Sequence, residues 1–217
     1  VNRTLVIDWI EASNLEDENH EDWNTLKSAD GILVPGGFGD RGIEGKILAA
    51  NYARVSKTPF LGICLGLQIA TIEFCRNVLG LQGANSTEFD SDTPHPAVVF
   101  MPEISKTHLG GTMRLGSRPT IFQVDDCMTR RLYGGGSQVD ERHRHRYEVN
   151  PDLISKIEDA GLVFVGKDET EQRCEIFELI DHPYYVGVQY HPEFKSRPED
   201  PSPPFLGLLM ASDGQKV

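Results

Sequence analysis

Short apolar runs alternate with amphipathic stretches through the first third of the chain, and that alternation predicts strands interleaved with helices. Residues 5–10, 31–35 and 58–63 read as strands, residues 23–29, 43–55 and 65–79 as helices, and acidic residues 16–22 as a surface loop. On the third helix Ile69, Ile72, Cys75 and Arg76 share a face, and the first three are expected in the core. The second half changes character. Residues 84–150 carry few helical patterns and many glycines, prolines and polar turns, before strands at 162–165, 175–179 and 185–189. A proline-rich surface stretch at 198–204 leads into a short helix at 205–211, and no internal repeat is present. The pattern predicts an α/β fold: a doubly wound, mostly parallel sheet flanked by helices, with additional β-rich segments in the second half.

One strand-to-helix junction stands out chemically. In Gly62-Ile63-Cys64-Leu65-Gly66 an apolar run stops at a cysteine with a glycine two residues away on each side, and a helical pattern starts at once. This is the sequence form of a nucleophile elbow with cysteine in the serine position. The turn is so tight that its neighbours must lack side chains, and the helix N-terminus it creates favours a thiolate. Five residues alone leave a buried structural cysteine equally open.

Residues 185–194 weigh against the structural alternative. A strand there ends in His191-Pro192-Glu193, and Pro192 marks the end because it cannot donate to a ladder. Residues two apart in extended chain project to one side, so His191 and Glu193 project together. A base and the group that orients it are what a cysteine nucleophile requires. Ligands in such folds sit beyond the carboxyl ends of the strands, where Gly37 and Cys64 both fall. The backbone N–H groups of Gly37 and Leu65 are therefore candidates for an oxyanion hole, against the plainer reading of Gly36-Gly37 as a flexible loop.

Composition narrows the class further. The 217 residues are 39% hydrophobic and 25% charged, which suits one domain with a sizeable core. No apolar run reaches membrane-spanning length and no signal segment is visible. A net charge of -12 argues against general nucleic-acid or anionic-membrane binding. Four cysteines without paired metal spacing suit a reducing compartment, so a cytoplasmic location and no metal are expected. The run Arg142-His143-Arg144-His145-Arg146 lacks interleaved aromatics for nucleic acid, and metal binding by His143 and His145 would need further ligands among adjacent cations. A domain-interface or anion-contact loop is the preferred reading.

In order and spacing, Gly36-Gly37-Phe38-Gly39, Gly62-Ile63-Cys64-Leu65-Gly66-Leu67-Gln68 and His191-Pro192-Glu193 resemble the class I glutamine amidotransferases. More narrowly, Asn85-Ser86-Thr87-Glu88-Phe89, Gly110-Gly111-Thr112-Met113-Arg114-Leu115-Gly116 and the Glu141–Asn150 segment resemble the glutaminase domain of the CTP synthase family. The resemblance covers nearly the whole chain and implies a flavodoxin-like sheet and a Cys64–His191–Glu193 triad. It implies hydrolysis of L-glutamine through a cysteinyl thioester. The ammonia would pass to a synthase domain of the same polypeptide, which makes CTP from UTP with ATP and magnesium. No Walker-type phosphate loop is present, so that synthase domain is expected to lie outside this chain.

The resemblance further assigns Glu88 to the substrate ammonium and Arg146 to its carboxylate, with Phe38, Gln68 and Tyr147 lining the pocket. A free amino acid needs just such an acid and guanidinium; without the resemblance, Glu88 and Gln68 read as ordinary polar positions. It implies GTP as activator, with Arg41, Glu44, Thr112 and Arg114 responding to it and residues 110–116 as a lid. A glycine-bounded hairpin is the plain alternative there. It also implies a homo-oligomer for the full enzyme and a family strand and helix upstream of residue 5 that this chain lacks. Another class I amidotransferase, a γ-glutamyl peptidase or a non-catalytic regulatory module are the competing functions.

Overall fold

The computed structural model describes residues 3–101 and 113–217. Its main sheet has seven strands in the order β1 (Ile32–Val34), β2 (Phe60–Ile63), β10 (Tyr185–Val188), β9 (Cys174–Leu179), β8 (Leu162–Lys167), β5 (Arg114–Phe122) and β6 (Gln138–His145). The pairs β1·β2 and β2·β10 are parallel and the other four are antiparallel. The α/β class holds, but the sheet is not mostly parallel, since four of its six strand pairs are antiparallel. The β-rich second half has joined the main sheet as its antiparallel arm. A second sheet of three short strands, β3 (Asn85–Ser86), β4 (Pro96–Phe100) and β7 (Tyr147–Val149), lies beside it.

Both faces of β2 and β10 are buried, which is why these strands are apolar without alternation. Phe60 and Tyr185 pack on one face with Leu67, Ile69 and Ile72 of α3 (Leu65–Asn77) and Ile47 of α2 (Ile43–Ser56). Leu61, Val186 and Val188 pack on the other with Leu208 and Ala211 of α6 (Pro203–Ser212). Ile69, Ile72 and Cys75 are fully buried, as the periodicity predicts. The helix predicted at 23–29 is α1 (Asp22–Ser28).

Two further expectations fail. Residues 5–10 form no strand: among the described residues the segment has no ladder partner, and Leu5, Val6, Ile7 and Trp9 are exposed. Hydropathy alone cannot make a strand without an edge to pair with. The Arg142–Arg146 run is not a loop either. It is the end of β6, paired antiparallel along β5 from Ile121↔Gln138 to Arg114↔His145. Its period-2 alternation puts His143 and His145 inside and Arg142, Arg144 and Arg146 outside.

Candidate active site

The strand β2 ends at Ile63 and α3 begins at Leu65, so Cys64 alone makes the turn. It does so at φ 52 and ψ -100, a region that strains a side-chain-bearing residue by about 1–3 kcal/mol. The flanking glycines make the turn sterically feasible. A Cβ on Gly62 would lie 2.6 Å from the Gly66 carbonyl, and one on Gly66 would lie 2.1 Å from the Val34 carbonyl oxygen. The turn is then pinned to the next strand by the Cys64 N–H, which donates to the Val188 carbonyl at 2.7 Å.

His191 follows β10 on the same edge of the sheet, its own N–H donating to Arg142 O at 2.8 Å. Its Nδ1 lies 2.6 Å from Glu193 Oε1. The other ring nitrogen, Nε2, is buried and has no hydrogen-bond partner. Gly36 shows how close the imidazole and the cysteine stand: a Cβ built there would meet His191 Cε1 at 2.7 Å and Cys64 Cβ at 3.4 Å. Both side chains thus flank one point above the strand ends, with a carboxylate holding the far nitrogen of the ring.

Electrostatics at the sulfur run against the expectation from the helix N-terminus. Burial pushes the Cys64 thiol up to about 12, and the nearby Glu193 and Glu88 charges add to that rise. The Leu65 backbone N–H and the Gln189 side chain oppose it, but less strongly. Desolvation wins, so the resting sulfur is a thiol that needs a base. For Glu193, burial raises the carboxyl, but the hydrogen bond from His191 and its charge outweigh this and hold it below the ordinary value.

A cleft open to solvent extends from the sulfur and is lined by Gly37, Phe38, Cys64, Gln68, Glu88, His145, Arg146 and Tyr147. The five residues expected around substrate are all there. Burial raises the Glu88 carboxyl and the Arg146 charge pulls it back, which places acid and guanidinium within electrostatic reach of each other. Gly37 sits directly against Leu65, a Cβ on it meeting Leu65 Cδ2 at 3.2 Å. Phe38 is 60% exposed and carries the Arg144 guanidinium 5.5 Å from its ring centre.

Of the residues expected to respond to a nucleotide, Arg41 and Glu44 lie at the surface and Arg114 is buried. Arg41 pairs with Glu11 at 2.8 Å and Glu44 with Arg76 at 2.7 Å. Arg114 has its Nη2 3.3 Å from Glu175 Oε1. Thr112, with Gly110 and Gly111 of the expected lid, lies outside the described residues, and Arg114, Leu115 and Gly116 of that segment open β5.

Sequence reasoning missed what lies behind the pocket. His143 Nδ1 is 2.9 Å from His145 Nε2 and 3.4 Å from Glu175 Oε2, all buried. These three could offer ligand atoms to a metal. The adjacent Arg114 already supplies the positive charge, and the set reads as an ion-paired network. Burial holds His145 down to about 3 and His143 well below its ordinary value, with Arg114 adding to both. Gln189 was also missed, fully buried at the end of β10.

A strained cysteine elbow, a carboxylate-held histidine and a cleft carrying an acid and a guanidinium at the carboxyl ends of parallel strands define an acyl-transfer enzyme of the cysteine type. The family model for glutamine amidotransferase class-I matches residues 2–211, and the chain belongs to that family. Its similarity is to the CTP synthases within it. The chain is 62% identical over 222 residues to the CTP synthase of Dictyostelium discoideum and 59% identical over 226 residues to CTP synthase 2 of Saccharomyces cerevisiae. It spans about 39% of the length of these curated relatives and is itself covered to 98%. Among solved structures, the glutaminase domain of Trypanosoma brucei CTPS with bound acivicin superposes at a TM-score of 0.91. That match has 36% identity over 99% of this chain and 83% of the other. A putative GMP synthase subunit of Thermoplasma acidophilum, at 18% identity and TM-score 0.57, shares the fold. The chain corresponds to the glutaminase domain of CTP synthase.

Proposed function

We propose that the chain hydrolyses L-glutamine to glutamate and ammonia through a γ-glutamyl thioester on Cys64. The observation that carries this is the meeting of Cys64 and the Glu193-held His191 at one point, with the pocket opening from the sulfur. Glutamine enters with its α-ammonium toward Glu88 and its α-carboxylate toward Arg146. His191 Nε2 takes the thiol proton as sulfur attacks the side-chain amide, then returns it to the departing ammonia. The Gly37 and Leu65 N–H groups stabilise the oxyanion. Water activated by the same nitrogen then cleaves the thioester, releasing glutamate. Glu193 holds the ring tautomer and balances the imidazolium charge throughout.

In the larger polypeptide the ammonia goes to a synthase domain that aminates UTP to CTP with ATP and Mg²⁺, and the assembly is a cytoplasmic homo-oligomer. The CTP synthases at 56–62% identity support that assignment. Among the described residues, no helix is long and apolar enough to cross a membrane. A response to GTP belongs to the same proposal and falls to the exposed Arg41 and Glu44, since Arg114 is buried. The test is glutamate release by the full-length protein with and without Cys64→Ala, UTP, ATP and GTP. Loss of glutamate release in the variant, and CTP formation from glutamine only in the parent, support the proposal. Undiminished glutamate release in Cys64→Ala refutes it.

A further inference from the structure

Gln189 is fully buried one position beyond β10, where Val188 pairs with Ile63, so it lies beside Cys64. Its backbone N–H donates to Glu175 O at 2.8 Å, which fixes the chain there. The orientation of its amide is decided by a chain of donors and acceptors. The Tyr147 carbonyl can only accept, so the Gln68 group 2.8 Å from it is Nε2, a donor. The same Nε2 donates to Gln189 at 3.3 Å, so the Gln189 atom it meets is Oε1. That leaves Gln189 Nε2 turned away from Gln68, buried and without a hydrogen-bond partner.

An unpaired buried N–H₂ is costly, so a state of the site that supplies it with an acceptor is favoured. We propose that the Gln189 side-chain amide is the donor that holds the Cys64 sulfur when it carries negative charge, with Gln68 and the Tyr147 carbonyl fixing its direction. A thiol is a weak acceptor and leaves the donor unsatisfied; a thiolate is a strong one and satisfies it. The interaction is therefore stronger once the sulfur is charged than at rest, which is what lowers a barrier. The Gln189 side chain already favours the charged sulfur against burial and against the Glu193 and Glu88 charges; His191, His145, Arg146 and Tyr147 are the other charged or titratable groups around the site. Tyr147 follows Arg146 directly, so the carbonyl that sets the relay belongs to the pocket wall.

This inference rests on Cys64 being the nucleophile, and the test separates the two claims. Full-length protein is alkylated with iodoacetamide from pH 6 to 10, and modification of Cys64, Cys75, Cys127 and Cys174 is followed by peptide mass spectrometry. In the wild type Cys64 reacts fastest and glutamine protects it. If it reacts no faster than Cys75, the nucleophile assignment falls and this inference falls with it. Gln189→Met keeps the volume and removes the donor. Its Cys64 profile moves upward by about one pH unit, with roughly ten-fold slower alkylation at pH 7. Gln68→Met leaves residue 189 in place but frees its amide, and moves the profile the same way by less. A profile superimposable on wild type, in whichever variant keeps a cooperative thermal transition, overturns the assignment of Gln189.

Discussion

The two walls of the pocket are built on different physics. The elbow wall, β2 and α3 with Cys64 between them, is buried from Phe60 to Cys75 and held by apolar packing and close backbone contact. The opposite wall, the end of β6 leading into β7, alternates: Arg142, Arg144 and Arg146 face outward, while His143 and His145 sink into a network with Glu175, Glu148 and Arg114. The first wall positions a reacting atom by leaving it almost no freedom. The second presents charge to a ligand and buries the groups that hold it there. Chemistry is expected to depend on the first, and recognition on the second.

Substitutions can separate the two. The largest effect is expected from Cys64→Ala: glutamate release falls by roughly 10⁴-fold or more, while the thermal transition barely moves. Next comes Gly66→Ala. Its Cβ would drive into the Val34 carbonyl, which as backbone cannot swing aside, so the elbow wall shifts. A loss of about 3 kcal/mol in denaturant unfolding is expected, with activity falling alongside. Arg146→Ala should do the reverse, reducing kcat/KM for glutamine by roughly 10- to 100-fold at unchanged stability. If Arg146→Ala unfolds the protein, the contrast between the walls is wrong.

The smallest expected effect is a pH slope. His145 is held at about 3 when folded, below its unfolded value near 6.5. Between those values the unfolded chain binds the extra proton, so stability present at neutral pH is lost as pH falls below about 6.5. His145→Gln removes that proton uptake. The acid loss should lessen by on the order of 1–2 kcal/mol at pH 5, read from urea unfolding at pH 7 and pH 5.

The elbow wall was legible in the sequence because its constraints are local. Gly62 and Gly66 are there since the chain touches itself within five residues, and His191 and Glu193 share a side by strand period. The second wall was harder. Arg-His-Arg-His-Arg is a strand pattern written in charged residues, and charge usually means a loop; only its pairing with β5 reveals two buried histidines. Glu175 and Arg114 meet them from strands far apart in sequence, and no local period encodes that. Residues 5–10 show the converse: apolar enough for a strand, yet without a partner. The thiol was misjudged for a related reason, since a helix N-terminus can be read from sequence but the depth of burial that outweighs it cannot.

The central claim concerns one covalent bond, and it can be seen directly. The full-length protein is mixed with glutamine, quenched in acid within milliseconds to seconds, digested and weighed by mass spectrometry. The account predicts a γ-glutamyl adduct on the peptide containing Cys64, absent from those containing Cys75, Cys127 and Cys174, and decaying as glutamate appears. Steady glutamate release with no adduct on Cys64 at any time, and with full activity in Cys64→Ala, would contradict it.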